Sequence, residues 1–267
     1  MVKEDIEKRI ELKLERRFSE ERLKDKDLFE VVEEVFDKRT VMGIMELRRR
    51  RCLKVLKGVV SAGKEARVYW AKGFSNEDLA VKIYLTVTAE FRKSIWKYIR
   101  GDPRYEWIGK LPRHKLMSVW ARKEFSNLKR MYEAGVSVPR PLCIYQNILV
   151  MEFIGKEGVR APLLKEVVEH GEPDRELAEE IFWRIIDNVK KMYNSAKLVH
   201  GDLSEYNVML WNSEIYIIDV SQAVRLDHPN ALDFLQRDLH NIVRFFVEDV
   251  GIEVPTVEEL FKEIVNE

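Results

Sequence analysis

The sequence predicts an α+β fold of two lobes, a small β-rich lobe followed by a mostly helical one. In the first half, runs of β-branched and aromatic residues are separated by turn residues, which is typical of strands. In the second half, apolar residues recur at three- and four-residue steps, which indicates amphipathic helices. With 267 residues, the chain is long enough for two lobes that share a hydrophobic core.

The chain begins with a charged segment, residues 1–50, which we interpret as a helical N-terminal extension. Its apolar residues Leu28, Val31 and Val35 stand at helical spacing. A basic run at 48–51 follows, for which we favour a solvated helix face. A patch that contacts phosphate is the alternative interpretation of this run.

The predicted β-rich lobe covers residues 51–154. Two strands joined by a turn at Gly63 come first, and a third, nearly all-apolar strand lies at 78–85. A helix at 119–135 and a hairpin at 140–155 complete the lobe.

The predicted helical lobe covers residues 155–267. Its first long helix begins after Asp174, a residue type that commonly caps helix N-termini. Two short strands follow between 207 and 220. The long helices of this lobe are predicted at 174–194, 230–248 and 256–266.

Charge and cysteine content narrow the possible functions. Lys+Arg and Asp+Glu both total 46, so the net charge is zero, which argues against a general nucleic-acid coat. The two cysteines, Cys52 and Cys143, give neither a disulfide framework nor a zinc-ligand spacing, which fits a reducing cytoplasm. The charged start lacks the apolar core of a signal peptide, and no apolar run approaches the ~20 residues that span a bilayer. We therefore expect a cytoplasmic protein without a membrane partner.

The stretch LVHGDLSEYNVML at 198–210 places polar groups inside an otherwise apolar sequence. It contains Asp202 and Asn207, and another carboxylate, Asp219, follows the next apolar strand. Phosphoryl transfer from a nucleotide requires metal ligands for the phosphates, a cation, and an acid beside the attacking hydroxyl. Carboxylate and amide oxygens suit Mg²⁺ or Mn²⁺. The order of acid, amide and second acid is the layout of protein-kinase catalytic and metal loops.

Lys82 is the expected cation, because it stands alone in an apolar strand. A lysine on an edge strand that extends to solvent is the alternative. We favour an ion pair with Glu124, since Glu124 shares a helix face with Leu128 and Met131 and should point inward. A lysine–glutamate pair of this kind is the expected arrangement in protein kinases.

Four ordered motifs resemble the RIO atypical kinases, most of all the subfamily that lacks an N-terminal winged-helix domain. The motifs are SAGKEARVY, AVKIY, VHGDLSEYN and IDVSQAV. The resemblance implies a bilobal protein-kinase-like fold that lacks an activation segment. It also implies an ATP-dependent serine/threonine protein kinase or ATPase that uses Mg²⁺ or Mn²⁺.

The resemblance implies roles for five residues around the phosphates. Asp202 matches the catalytic acid/base. Lys82 matches the lysine that contacts the phosphates, with Glu124 as its partner. Asn207 and Asp219 match the metal ligands. In this family the metal-loop aspartate, here Asp219, is also implicated as a phosphate acceptor that forms an aspartyl-phosphate.

Other positions match the nucleotide-binding parts of the family or depart from ordinary protein kinases. Glu152 and Ile154, in VMEFIG, match the hinge whose backbone receives adenine. Ser61 replaces a glycine of the phosphate-binding loop, so its hydroxyl can contact phosphate, and Ser204 stands where protein kinases carry a lysine. The short connection after residue 220 lacks the platform that holds a peptide substrate, which argues against efficient phosphorylation of extended peptides.

Two other interpretations start from single motifs. GVVSAGK at 58–64 matches the start of a P-loop, but Glu65 replaces the metal-binding hydroxyl and a strand follows instead of a helix. HGDL followed by an asparagine also resembles the catalytic loop of aminoglycoside and choline phosphotransferases. A small-molecule phosphotransferase is therefore the alternative function, although SAGKEA and IDVSQ favour RIO.

The resemblance also implies a role in small ribosomal subunit maturation, with the precursor's rRNA and ribosomal proteins as partners. The insertion predicted at 86–118, and the helix after it, combine many Lys and Arg with aromatics such as Trp96, Tyr98 and Trp120. Such a combination can neutralise phosphates and stack on unpaired bases. The alternative is a segment whose aromatics pack on the upper lobe while its charges stay in water. We favour a monomer.

Overall fold

The computed structural model describes most of the chain. The described residues are 36–85, 95–100, 102, 104, 105, 108, 111–171 and 173–266. Most of the predicted N-terminal extension, including Leu28, Val31 and Val35, lies outside this part, as does much of the insertion predicted at 86–118.

A five-stranded antiparallel sheet forms the upper part of the molecule, with the strand order β1-β2-β3-β5-β4. The strands are β1 Val55–Ala62, β2 Ala66–Lys72, β3 Asp78–Tyr84, β4 Pro141–Tyr145 and β5 Ile148–Glu152. The predicted turn at Gly63 joins β1 to β2, and the Gly63 N–H donates to the Ala66 carbonyl at 3.0 Å. The predicted order of three strands, a helix and two strands is therefore present.

Helix α1, Lys38–Arg49, covers one face of this sheet. Asp37 caps it by accepting a hydrogen bond from the Thr40 N–H at 2.9 Å. A methyl group at Gly43 would lie 2.7 Å from Ile148, so the absence of a side chain allows the close approach of helix and sheet. In the basic run, Arg49 and Arg50 pair with Glu46, which agrees with the predicted solvated face.

Helix α2, Arg113–Glu133, runs between the sheet and the lower lobe. It begins six positions before the predicted start at residue 119, directly after Pro112. Proline fixes φ near helical values and is tolerated at the start of a helix. Pro112 therefore precedes the first turn of α2 and does not interrupt the helix. The helix therefore includes residues 113–118 of the predicted insertion, and the helix start predicted at residue 119 is wrong.

The described parts of the insertion pack onto the helical lobe. A short helix spans 95–99, and Tyr98 lies buried beside Phe234, with 5.5 Å between ring centroids. Trp120 is equally buried. These two rings belong to the core and cannot stack on RNA bases, whereas Lys97 remains exposed and Trp96 is partly exposed.

The helical lobe has four α-helices in the described part of the chain. They are α3 Leu164–Glu169, α4 Arg175–Asn194, α5 Ala231–Arg244 and α6 Val257–Asn266. The predicted cap Asp174 accepts a hydrogen bond from the Leu177 N–H at 3.0 Å. After α5 the chain continues as a π-helical turn, Phe245–Val250, and Gly251 ends it with φ 80°. Phe182 packs edge-on against Phe246 in the shared core.

Short two-stranded ladders carry the polar loops of this lobe. They are β6 Gly155–Lys156 with β7 Val159–Arg160, β8 Leu198–Val199 with β11 Val224–Arg225, and β9 Val208–Trp211 with β10 Glu214–Ile217. Asn212 and Ser213 join β9 to β10 with positive φ at both positions, as tight two-residue hairpins require. This hairpin brings Asn207, just before β9, next to residue 218, just after β10.

Cys52 and Cys143 form a disulfide, with 6.0 Å between their Cα atoms. The prediction of two unconnected thiols is therefore wrong. The two cysteines are 91 residues apart in sequence. They meet because α1 packs across β4, a long-range contact that cysteine spacing does not reveal.

None of the helices in the described ranges combines the length and the apolar composition that crossing a bilayer would require.

The disulfide predicts a stability change on reduction. Cross-links that close long loops typically contribute about 2–4 kcal/mol, so reductant should lower the free energy of unfolding by about that amount. The measurement is chemical denaturation with and without reductant, with the Cys52→Ala/Cys143→Ala double variant as the control that reductant leaves unchanged. Rapid alkylation of both thiols in the folded, unreduced protein would contradict the pairing.

Candidate active site

A cavity of about 390 Å³ lies between the sheet and the helical lobe. Its size is that of a small-ligand site. Seven of the eight residues predicted for nucleotide and metal chemistry line it: Ser61, Lys82, Glu124, Glu152, Ile154, Asn207 and Asp219. Asp202 is the exception, since it does not line the cavity itself.

Lys82 joins the two lobes at the back of this cavity. Its Nζ lies 2.8 Å from Glu124 Oε1 and 3.0 Å from Asp219 Oδ1. Strand β3 pairs with β2 on one side and β5 on the other, so Lys82 occupies a central strand and the edge-strand alternative is wrong. The predicted contact with Glu124 is present, and Asp219 is a second partner.

The charges of this cluster support one another. The Asp219 and Glu124 carboxylates raise the pKa of Lys82 well above its usual value, although burial opposes them. Lys82 in turn lowers the pKa of Asp219. Burial raises the pKa of Glu124, although Lys82 opposes this shift. The Lys82 ammonium group donates a hydrogen bond to Glu124 Oε1 and so offsets part of the cost of burying the carboxyl group.

The second oxygen of Glu124 accepts its hydrogen bond from the Tyr84 hydroxyl. Sequence reasoning missed Tyr84. The signal was available, because residues two apart in a strand share a face, so Tyr84 points the same way as Lys82.

The loop between β8 and β9 carries Asp202 and Asn207. The Asn207 side-chain amide donates to the Asp202 carbonyl at 2.6 Å, which closes the loop. Burial raises the pKa of Glu65, a cavity residue that sequence reasoning assigned no role, and the charges of Asp219 and Asp202 raise it further. Asp202 is thus close enough to act electrostatically on groups inside the cavity.

Asp219 stands in a strained conformation at the end of β10. Its φ of 59° and ψ of 54° are left-handed, which is uncommon outside glycine. The side chain is 49% exposed, and its Oδ1 accepts from Lys82 and from the Ser221 hydroxyl at 3.1 Å. The backbone strain therefore turns a carboxylate into the cavity, as functional sites often do.

These oxygens fit a divalent cation. Asn207 uses its amide N–H in the loop, so its side-chain oxygen is the end that can serve a metal. With a carboxylate oxygen of Asp219, this makes a small set of hard oxygen ligands, which suits Mg²⁺ because that ion keeps waters and substrate phosphates as its other ligands. The described ranges contain no cluster of three His, Cys, Asp or Glu side chains that could hold a metal ion without ligands from water or a substrate.

Comparison with known proteins agrees with this geometry. A family model described as the RIO domain matches residues 67–260. The chain is 42% identical over 248 residues to the RIO-type serine/threonine-protein kinase Rio1 of Haloferax volcanii, covering 92% of this chain and 82% of that protein. The chain belongs to the RIO family.

Other relatives are longer than this chain. It is 40% identical over 264 residues to the serine/threonine-protein kinase RIO1 of Caenorhabditis elegans, covering 98% of this chain but 50% of that protein. Among solved structures, the Rio2 kinase–ADP/Mg²⁺–phosphoaspartate complex from Chaetomium thermophilum matches with a TM-score of 0.60 and 22% identity, covering 83% of this chain and 65% of that one. The fold is thus protein-kinase-like, and the Rio1 relatives agree with the predicted subfamily. The small-molecule phosphotransferase is not favoured.

The cavity is apolar in part of its lining. Its walls come from both lobes and include Val68, Ala80, Met151, Met209 and Ile218. A flat aromatic base could be sandwiched between them. Glu152 and Ile154 of the predicted hinge line the same cavity.

The predicted hinge has two backbone groups already engaged. The Glu152 N–H donates to the Arg140 carbonyl at 2.9 Å. The Ile154 carbonyl accepts from the Ala161 N–H at 2.9 Å, which leaves the Ile154 N–H as the group that could face a base. Ser61 lines the same cavity from the exposed end of strand β1, just before the turn to β2.

Helix α5 holds the loop that carries Asp202. The two oxygens of Asp238 accept hydrogen bonds from the Gly201 N–H at 2.7 Å and the Leu203 N–H at 2.9 Å. Asn241 donates to the Leu203 carbonyl at 3.0 Å, and Arg237 donates to the Gly201 carbonyl. Asp202 lies between these two anchored residues, so its position is fixed by α5.

Sequence reasoning did not single out Asp238, although an acid on the apolar face of an amphipathic helix was a usable signal. His200 braces the same loop, with its Nε2 3.2 Å from the Ile218 carbonyl.

Asp238 predicts a pH-dependent stability difference. Burial raises its pKa in the folded chain to about 7, whereas an unfolded aspartate titrates at about 4. Because the folded chain binds this proton more tightly than the unfolded chain, protonation of Asp238 stabilises the fold at low pH. This stabilisation is lost as the pH rises through about 7. The unfolding free energy of the wild type relative to Asp238→Asn should fall by roughly 1 kcal/mol or more between pH 5 and pH 8.

The measurement is chemical denaturation at several pH values. Asp187→Asn, which changes an exposed carboxylate on α4, is the control and should show no comparable trend. A difference between wild type and Asp238→Asn that stays constant over this range would contradict the raised pKa.

Proposed function

We propose that this chain is an ATP-dependent serine/threonine protein kinase and ATPase of the RIO type that uses Mg²⁺ or Mn²⁺. One observation carries the proposal: Lys82, Glu124 and Asp219 meet within 3.0 Å at the back of a two-lobed cavity. A lysine–glutamate pair beside a metal-loop aspartate is the arrangement that positions nucleotide phosphates.

Each residue has a role in this proposal. Lys82 binds the phosphates, and Glu124 keeps its ammonium group in place. Asn207 and Asp219 would hold the divalent ion, which supplies charge neutralisation at the phosphates when bound. Asp202 orients the acceptor hydroxyl and takes its proton. Ser61 contacts phosphate, and the backbone of Glu152 and Ile154 binds adenine.

We further propose that Asp219 can itself accept the phosphoryl group. A carboxylate oxygen would form a bond to the γ-phosphorus while the bond to the bridging oxygen breaks, and ADP leaves with that electron pair. Water then hydrolyses the aspartyl-phosphate. Lys82 lowers the pKa of Asp219, which keeps the carboxylate ionised as a nucleophile or metal ligand must be. The phosphoaspartate in the Rio2 complex from Chaetomium thermophilum gives this step a precedent of the same fold.

The acceptor surface is small. Residues 220–230 connect Asp219 to α5 with only a 3₁₀ turn and the short strand β11. No long segment is available there to hold an extended peptide, so autophosphorylation or ATP turnover is the proposed output rather than efficient phosphorylation of peptides.

As partner we propose the small ribosomal subunit precursor, bound by a monomer in the cytoplasm. The exposed Lys97 and the partly exposed Trp96 can contribute to RNA binding. Disulfides are rare in cytosolic proteins, and intracellular proteins of hyperthermophiles are the main exception. The charged fraction of this chain, 34%, is typical of heat-adapted proteins.

Asp202→Ala should abolish phosphoryl transfer but leave nucleotide binding intact, because Asp202 lies outside the cavity lining. Loss of a general base typically costs about 10²- to 10⁴-fold in rate. Turnover of labelled ATP and calorimetric binding of ATP measure the two effects separately. Asp187→Ala is the matched control and should keep full activity. Undiminished turnover in Asp202→Ala would refute the catalytic role.

The nature of the phosphorylated product tests the role of Asp219. Incubation with γ-labelled ATP should label the protein with a phosphate that hydroxylamine releases, and Asp219→Asn should lose this label. Acid-stable phosphoserine would report transfer to a hydroxyl instead. If hydroxylamine released no label from the wild type, the aspartyl-phosphate would be excluded.

A further inference from the structure

The segment that follows Asp219 is held by two buried side chains of helix α2. Lys123 Nζ donates to the Ser221 carbonyl at 2.7 Å and also to the Ala223 carbonyl. Asn127 Nδ2 donates to the Val220 carbonyl at 2.9 Å and to the Ala223 carbonyl at 3.1 Å. We call these two residues, Lys123 and Asn127, the α2 clamp.

The clamp lies in the protein interior. Lys123 is 1% exposed and Asn127 is 2% exposed. Burying a lysine without a facing carboxylate is unfavourable, and burial lowers the pKa of Lys123 to about 7. The nearby carboxylate of Asp102 is engaged by Arg104 instead. A nonpolar residue could fill this space equally well, but it could not donate hydrogen bonds. The hydrogen bonds from Lys123 to the turn therefore explain why a lysine is buried here.

The clamp sits where Asp219 needs support. The backbone of Asp219 is in the left-handed region, and the 3₁₀ turn Val220–Gln222 begins at the next residue. Conformations of this kind persist only when the surrounding structure holds them. Carbonyls of this turn and of the residue that ends it are acceptors for the clamp, so the clamp restrains the backbone that aims the Asp219 carboxylate.

Helix α2 therefore acts on both partners of Lys82. Glu124, next to Lys123 in sequence, contacts Lys82 through its side chain. Asp219 contacts Lys82 from the turn that Lys123 and Asn127 hold. A displacement of α2 would disturb both contacts together.

We propose that Lys123 and Asn127 are positioning residues that keep Asp219 in its cavity-facing conformation before nucleotide arrives. The site is thereby assembled through α2, without an ordered activation segment. This inference rests on the proposed function, because it assigns Asp219 to the binding of Mg²⁺ with ATP.

Lys123→Met and Asn127→Asp remove the donors while nearly preserving side-chain size. In both variants, the Mg²⁺ concentration that half-saturates ATP binding should rise by about tenfold or more, since charged or buried hydrogen bonds are lost. ATP binding in EDTA should change little. Hydrogen exchange of the backbone amides at 219–223 should accelerate. If Lys123 and Asn127 only stabilised the core in general, exchange would not increase selectively in this segment.

Lys129→Met is the matched control. It makes the same substitution on the same helix, but the Lys129 side chain is exposed. Its Nζ forms a long ion pair with Glu133 Oε1 at 3.8 Å. It should keep the wild-type Mg²⁺ requirement. If Lys123→Met fails to fold, Asn127→Asp and the milder Asn127→Ser decide the question.

The outcomes separate the two levels of inference. A wild-type Mg²⁺ requirement in the folded clamp variants overturns the clamp and leaves the proposed function standing. An equal loss of ATP affinity with Mg²⁺ and with EDTA also overturns it, because general destabilisation would then be the cause. Absence of Mg²⁺-dependent ATP binding in the wild type overturns the proposed function itself.

Discussion

The contact of Lys82 with Glu124 and Asp219 is the constraint on which the structure of the site depends. It places one buried cation between two carboxylates that come from different parts of the chain. Removing one member of such a buried cluster leaves an uncompensated charge, which is strongly unfavourable. The strand, the helix and the loop that carry these groups must therefore be positioned together, and the cavity is the space that remains between them.

The rest of the fold follows from this requirement. Lys82 must lie in a central strand so that its side chain can reach the lower lobe while its backbone is paired on both sides. Helix α2 must cross behind the sheet with Glu124 facing inward. The Tyr84 hydroxyl donates a hydrogen bond to the second oxygen of that carboxylate. The larger hydrophobic core runs from this helix into the helical lobe, so the packing that stabilises the protein also fixes the distance between the charged partners.

The sequence predicted those parts of the site that depend on local pattern. A nearly all-apolar strand singled out Lys82, helical spacing predicted that Glu124 points inward, and Asp174 marked the start of α4. The parts that it missed depend on contacts between distant segments. The disulfide needs α1 to lie across β4, and the role of Asp238 needs α5 to lie next to the loop that carries Asp202. Neither placement is encoded in the periodicity of one element.

Two loops carry the residues that we propose for the chemistry, and each loop is held by a different helix. The loop of Asp202 is anchored to α5 on both sides of that residue, and the turn after Asp219 is anchored to α2 through the clamp. In both cases the anchors are buried hydrogen bonds, whose loss leaves unsatisfied polar groups in the interior. Electrostatic stabilisation of a transition state is most effective when the charged groups are in place beforehand. The short connection between β11 and α5 can thus coexist with an ordered site, because the order is supplied by the helices.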